Sequence, residues 1–243
     1  MKNQNIPIKT NYQIWPVGKL PKEWQRPELD MLKKAGYKLE DPRDAVDIFE
    51  KKIAKYAGSK YAIAVDNCTD AIMLCLHYLK YKEQLENDSE ITVPARCYMS
   101  IPMTIKANGF KVKFEDIEWQ GMYQLKPTPI WDSAPRFTKN MYIKDSYQCL
   151  SFQIKKRLPI GKGGMILTDD EESVKWFRMA SFEGRNIEVD QWHDNFTVMG
   201  WNMYMTPEDA ARGILLFDQL PEENTDTQDY TMYPDLSTQK IFK

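Results

Sequence analysis

Histidine and cysteine are scarce in this chain. The two histidines, His77 and His193, and the four cysteines, Cys68, Cys75, Cys97 and Cys149, include no Cys-x-x-Cys pair. The ligand spacing of a structural zinc site is therefore missing, no metal is expected, and the cysteines read as reduced, buried thiols. His77 falls in an apolar helical stretch and His193 in a polar loop, and neither is assigned a role. Long apolar runs are missing too: nothing approaches the ~20 residues that span a bilayer. The opening stretch Met1-Lys2-Asn3-Gln4-Asn5-Ile6-Pro7 lacks the apolar core of a signal peptide. These absences point to a cytoplasmic chain without a membrane partner. Neither sign of charge is in excess, with 33 Lys+Arg against 35 Asp+Glu and a formal net charge of −2, so nucleic acid is not the expected partner.

What is present is enough apolar sequence, 42% of 243 residues, for one large domain with a full core. Residues 1 to about 26 are rich in proline, lysine and tryptophan and read as an extended arm, so residues 1–40 are taken as an arm and first helix. Asp41-Pro42 is a helix-start signal, and Val46, Phe49, Ile53 and Tyr56 follow at helical spacing up to Gly58. Strands are expected at Tyr61 to Val65, Ile91 to Val93, Phe110 to Phe114, Pro129 to Trp131, Tyr147 to Phe152 and Met165 to Thr168. Helices are expected at about Thr69 to Tyr81, Tyr98 to Ala107, Glu171 to Phe182 and Thr206 to Leu220. The alternation predicts an α/β domain over 41–220, with a mainly parallel open sheet covered on both faces. Residues 221–243 read as a weakly ordered tail.

The most informative segment is Ser151-Phe152-Gln153-Ile154-Lys155-Lys156-Arg157, followed by Gly163-Gly164. A basic triplet alone is usually a solvated face. Here it sits on the loop between two expected core strands, where desolvation lowers a lysine pKa and frees the amine as a nucleophile. A serine, a phenylalanine, three variable residues and a lysine resemble the cofactor-lysine motif of the DegT/DnrJ/EryC1/StrS family of sugar aminotransferases. In that family the lysine forms a Schiff base with pyridoxal 5'-phosphate, which by this spacing makes Lys156 the reactive residue.

Four further stretches match the family in order. Asp66-Asn67-Cys68-Thr69 joins a strand to a helix, where free backbone N–H groups suit a phosphate. The resemblance places the cofactor phosphate at Cys68 and Thr69, with Cys68 replacing the usual glycine. Pro94-Ala95-Arg96-Cys97-Tyr98 resembles the strand end whose aromatic residue stacks on the pyridine ring, the position of Tyr98. Ile130-Trp131-Asp132-Ser133-Ala134 resembles the Glu-Asp-Ala-Ala motif, and Asp132 takes the place of the carboxylate that keeps the pyridine nitrogen protonated. Pro135 stands where a polar residue often follows. Ser151 corresponds to a serine on the cofactor phosphate. Gly200-Trp201-Asn202-Met203-Tyr204-Met205-Thr206 resembles the Gly-Tyr-Asn-Tyr-Arg-Met-Thr signature, in which the asparagine reaches the neighbouring subunit's cofactor. Asn202 therefore implies a homodimer with shared sites, while Tyr204 replaces the usual arginine.

The resemblance implies the three-layer fold of aspartate aminotransferase, fold type I, and transfer of an amino group from an amino acid such as glutamate to a nucleotide-linked keto sugar. It also implies a reduced sheet. Relatives place several strands and helices between the equivalents of Asp116 and Asp132, and here only residues 117–131 intervene. Relatives continue well past the equivalent of Leu220 into a small domain, which is expected to be largely absent. A non-catalytic or partner-dependent protein of the same fold is the alternative reading. A sugar dehydratase of the same cofactor class typically carries histidine in place of the lysine, and Lys156 argues against it.

Overall fold

A computed structural model describes residues 26–243. The arm expected over the first residues lies, up to residue 25, outside the described residues. Helix α1 (Pro27–Lys34) carries proline and two acidic residues in its first turn and two lysines in its last, the polarity that suits the helix dipole. It buries Leu29 and Leu32.

Helix α2 (Asp44–Ala57) begins two residues after Pro42, the predicted first helical position. The Asp44 carboxylate accepts from the amides of Glu40 at 2.7 Å and Asp41 at 2.9 Å. Asp41 accepts from the Arg43 amide at 2.8 Å. The Asp-Pro pair is thus spent on a turn, and the helix follows it. Phe49 and Ile53 are fully buried, and the helix ends at Gly58 as expected.

The remaining elements are β1 (Tyr61–Val65), α3 (Cys68–Tyr81), β2 (Glu90–Pro94), α4 (Ser100–Ala107), β3 (Lys111–Glu115), β4 (Tyr123–Leu125), β5 (Ile130–Asp132), β6 (Tyr147–Ser151), β7 (Gly164–Thr168), α5 (Glu171–Ser181) and α6 (Pro207–Phe217). Five strands form a sheet in the order β1-β7-β6-β5-β4, and β2 and β3 form a parallel pair. Thr92 of β2 and Lys126, just beyond β4, exchange both backbone bonds, at 2.8 and 3.1 Å. The pair therefore continues the sheet at the β4 edge.

The sheet is mixed. The β5/β6 and β2/β3 ladders are parallel, whereas β1/β7, β6/β7 and β4/β5 are antiparallel. Strands β1, β2, β3, β5 and β6 nevertheless share one direction, and only β4 and β7 oppose it. Strand β4 was not predicted. Residues 117–131 hold it and the first two residues of β5.

Side chains alternate between two cores on opposite faces, as the two-residue period of a strand requires. Ile63, Val65 and Ile166 join the core under α3, α4 and α5. Ala62, Ala64, Met165 and Leu167 join the core under α1, α2 and α6. All five residues of β7 are buried, which explains its near-continuous apolar run. The result is a three-layer α/β/α arrangement.

The tail differs from its expectation. Residues 221–243 form three short 3₁₀ turns, Tyr230–Met232, Leu236–Thr238 and Lys240–Phe242. Leu236 is buried, and its amide donates to the Ala95 carbonyl at 2.8 Å. A polar stretch without periodicity reads as weakly ordered, but here its backbone bonds to loops at the sheet edge.

Gly164 opens β7 opposite both Val65 and Ser151. A Cβ there would lie 2.3 Å from the Asn67 carbonyl carbon and 2.6 Å from the Cys68 amide nitrogen. Only glycine lets the strand lie against the β1–α3 turn. Replacing Gly164→Ala is expected to cost about 1–3 kcal/mol, the usual penalty of overpacking, measured as a lower midpoint in urea unfolding with an unchanged slope.

Candidate active site

Strands β1, β2, β5 and β6 run in one direction, so their carboxyl ends lie at one edge of the sheet, where ligands of open α/β folds collect. A cavity of about 430 Å³ opens there, and Cys68, Thr69, Tyr98, Asp132, Ser151 and Lys156 all line it. Six of the seven sequence-predicted positions are brought together. Asn202 is not. It is exposed, and its side-chain amide donates to Glu183 at 2.9 Å.

Asp132 ends β5 and is only 2% exposed, so its carboxylate needs partners. The Tyr123 hydroxyl donates to Oδ2 at 2.6 Å, the Ala134 amide donates to Oδ1 at 2.9 Å, and the Cys68 thiol lies 3.9 Å from Oδ1. Burial pushes the Asp132 pKa up, and the bonds from Tyr123 and Ala134 oppose that rise. A carboxylate has about four acceptor sites, which leaves room for one more donor from the cavity.

Lys156 lies in the loop of an antiparallel hairpin, β6 to β7. The loop is closed by the Phe152 amide donating to the Gly163 carbonyl at 2.9 Å and the Gly161 amide to the Phe152 carbonyl at 3.2 Å. Within it the Lys156 amide donates to the Gln153 carbonyl at 2.8 Å, a turn that leaves Lys155 exposed and Lys156 half-buried. Burial pushes the Lys156 ammonium below its ordinary pKa, against the pull of Asp132 and Cys68. Its Nζ donates to Gln228 Oε1 at 2.7 Å.

Helix α3 points its N-terminus at the cavity. Asn67 caps it by accepting from the Asp70 amide at 2.9 Å, and the amides of the first turn have no intrahelical acceptor. The Thr69 and Ser100 hydroxyls lie 2.7 Å apart. Lys162 adds a positive charge, its Nζ donating to Asp66 at 2.9 Å. Tyr98 precedes α4 with 53% of its surface exposed, its ring edge-on to Tyr233 at 6.4 Å.

Sequence reasoning missed Tyr123, Gln228, Tyr233 and Trp119, which also line the cavity. Tyr123 belongs to a strand too short for an alternation signal, and Gln228 and Tyr233 to the tail. No local pattern marks any of them.

A three-layer α/β protein with a desolvated lysine, a buried carboxylate and a helix N-terminus around one cavity has the parts of a carbonyl- and amine-handling enzyme that uses a phosphorylated cofactor. The chain belongs to the DegT/DnrJ/EryC1/StrS aminotransferase family, whose model matches residues 39–141 and 139–235. It is 26% identical to the spore coat polysaccharide biosynthesis protein SpsC of Bacillus subtilis (strain 168), over 70% of this chain and 55% of the relative. It is equally 26% identical to GDP-perosamine synthase of Escherichia coli O157:H7, over 70% of this chain and 57% of the relative. The chain thus spans little more than half the length of these curated relatives.

Two solved structures show the shared fold. One is GDP-4-keto-6-deoxymannose-3-dehydratase with a trapped PLP-glutamate geminal diamine, at TM-score 0.63, 20% identity, 85% of this chain and 68% of that one. The other is 3-amino-5-hydroxybenzoic acid synthase, at TM-score 0.63, 20% identity, 85% of this chain and 64% of that one. Among the described residues no helix is long and apolar enough to cross a membrane.

One titration at this site bears on stability. Asp70 faces Asp66, and burial first, then that neighbour, raises its pKa from 3.8 to about 7. A carboxyl with a raised folded pKa binds more protons folded than unfolded, so its contribution is fully present below pH 3.8 and is lost as pH rises through about 7. The Asp70→Asn variant should therefore gain melting temperature relative to the wild type as pH rises from about 4 to above 7, with a constant difference beyond. Thermal unfolding followed by circular dichroism at several pH values checks this, and a difference independent of pH would count against the coupling.

Proposed function

We propose that this chain is a pyridoxal-phosphate-dependent aminotransferase that moves an amino group from an amino acid, glutamate by preference, to a nucleotide-linked keto sugar in amino-sugar or polysaccharide biosynthesis. The observation that carries the reading is the meeting of Lys156 and Asp132, from separate strand ends, in one cavity. Supporting it are the family's aminotransferase chemistry, the GDP-perosamine synthase relative, and the PLP-glutamate adduct in the dehydratase that shares the fold.

The residues present fit the cofactor. Asp132 retains an acceptor site inside the cavity for a protonated ring nitrogen. The first-turn amides of α3 at Cys68 and Thr69, with the Thr69 and Ser151 hydroxyls, offer donors to a phosphate, and the exposed ring of Tyr98 offers a flat stacking face. Pyridoxal phosphate, when bound, supplies an aldehyde that takes up amino nitrogen and a ring that accepts electrons from the carbon losing its proton. Lys156 would hold the cofactor and, once freed, would serve as the base for the substrate proton, a task its lowered pKa suits. Asp132, its carboxylate held by the Tyr123 hydroxyl, would be the residue to hold a protonated ring nitrogen. Asn202, outside this chain's own cavity, belongs in the reading to the site of a second copy in a cytoplasmic homodimer.

Adding pyridoxal phosphate to the purified protein should produce a visible-range band that borohydride fixes onto Lys156, and glutamate should then release 2-oxoglutarate. Lys156→Ala should lose the band and at least about 10³-fold of the glutamate reaction. A protein that shows no band, or a Lys156→Ala variant with an undiminished glutamate reaction, would overturn the proposal.

A further inference from the structure

The wall of the cavity opposite the sheet comes from the tail. Asp226 accepts from Arg136 at 2.7 and 2.9 Å. The Thr227 amide donates to the Pro135 carbonyl at 2.9 Å, the Tyr230 amide to the Trp119 carbonyl at 3.1 Å, and the Gly121 amide to the Gln228 carbonyl at 3.1 Å. Gly121 has a positive φ of 72°, and a Cβ there would lie 2.3 Å from the Asp226 carboxyl carbon. The backbone on both sides of Gln228 is therefore tied to the strand-end loops, although no sequence motif marks the segment.

The Gln228 side chain reaches inward. Its Oε1 accepts from Lys156 Nζ at 2.7 Å and from the Tyr233 hydroxyl at 2.9 Å. As an ammonium, lysine has donors and no acceptor, so in that state the amide oxygen rather than the NH₂ group faces it. The Tyr233 hydroxyl holds the same oxygen from the other side, and the amide has no equivalent alternative orientation. Confining a lysine side chain gives up as much as about 2 kcal/mol of rotamer entropy, which the bond to an acceptor on already fixed backbone offsets in part. The acceptor is neutral, which matters because a carboxylate in its place would hold Lys156 as ammonium.

We propose that Gln228 is the positioning residue for Lys156: an uncharged acceptor, oriented by Tyr233, that aims the amine into the cavity without fixing its proton. The inference rests on the reading of Lys156 as the lysine that takes the cofactor. The titratable groups that line the cavity with Lys156 are Asp132 from β5, Tyr123 from β4, Cys68 from α3, Tyr98 before α4, Tyr233 from the tail, Lys155 beside it on its own loop and Lys162 farther along it. Each is unchanged by substitution at residue 228.

The test is the pH dependence of pyridoxal phosphate fixation onto Lys156 of the full chain, trapped with borohydride and located by peptide mass spectrometry. Wild type, Gln228→Ala, Gln228→Glu, Tyr233→Phe and Lys156→Ala are compared. Gln228→Glu should move the midpoint of the labelling curve up by about one pH unit or more, the effect of an opposite charge at contact distance. Gln228→Ala should slow labelling about tenfold at the wild-type optimum, the equivalent of one lost hydrogen bond to a charged group, and Tyr233→Phe should slow it less. Thermal unfolding reports whether each variant is folded. Should Gln228→Ala be misfolded, Gln228→Glu and Tyr233→Phe carry the comparison, because both nearly preserve side-chain volume.

Lys156 labelling with the wild-type midpoint in Gln228→Glu and wild-type rates in the other folded variants would overturn the proposal and leave the cofactor reading standing. Pyridoxal phosphate trapped on another lysine, equally in the wild type and Lys156→Ala, would instead overturn the cofactor reading and this inference with it.

Discussion

A carboxylate with 2% exposure at a strand end is the constraint around which this site is arranged. Asp132 is tolerable there only because donors reach it from three directions: the Tyr123 hydroxyl, the Ala134 amide and, more weakly, the Cys68 thiol. Each donor belongs to a different piece of the fold. Tyr123 lies on the short antiparallel strand β4, Ala134 on the loop leaving β5, and Cys68 on the first turn of α3. Removing Asp132 from water raises its pKa, and the hydrogen bonds work the other way. The same exclusion of water lowers the pKa of Lys156, while Asp132 and Cys68 resist that change. One environment therefore brings the acid and the amine of the cavity closer in proton affinity than they are in water.

Strand direction explains why residues from Cys68 to Lys156 converge. Four strands pointing the same way deliver Cys68 and Thr69, Tyr98, Asp132 and Ser151 to one edge. Strand β7 runs the other way, so the β6–β7 connection is a hairpin loop at that same edge, and Lys156 lies on it. Gly164 allows the hairpin to press against the β1–α3 turn, so the lysine loop and the helix N-terminus share a wall. The mixed pairing of the sheet is part of how the site is assembled.

The chain spans little more than half the length of its curated relatives, and one wall of its cavity comes from residues 225–236. That segment bonds to the loops carrying Trp119, Gly121 and Pro135 and presents Gln228 to Lys156. Residues 117–131 hold β4, whose antiparallel pairing with β5 brings Tyr123 to Asp132. Strand β4 and the tail, two stretches in which no motif was legible, are therefore also the two that touch the acid and the lysine.

Much of the architecture was legible before folding. Tyr61 to Val65 reads as a strand because its apolar run is bounded by a helix stop and a helix cap, and β1 occupies those residues. Gly58 ends α2 because its missing side chain admits a left-handed backbone. The order of motifs identified the lysine loop and the aspartate, since spacing along the chain is what those motifs record. The start of α2 was misplaced by two residues because a cap signal and a turn signal use the same Asp-Pro pair. Strand β4 was invisible because three residues show no period, and its pairing partners lie elsewhere in the chain. Local residue chemistry and periodicity were enough to set the helices and the buried strands, and the resemblance to the family singled out the lysine loop. Apart from the local Ala134 amide, the donors on Asp132, the acceptor on Lys156 and the folding of the tail onto the cavity came only with packing, because each depends on contacts between residues from 9 to 141 positions apart.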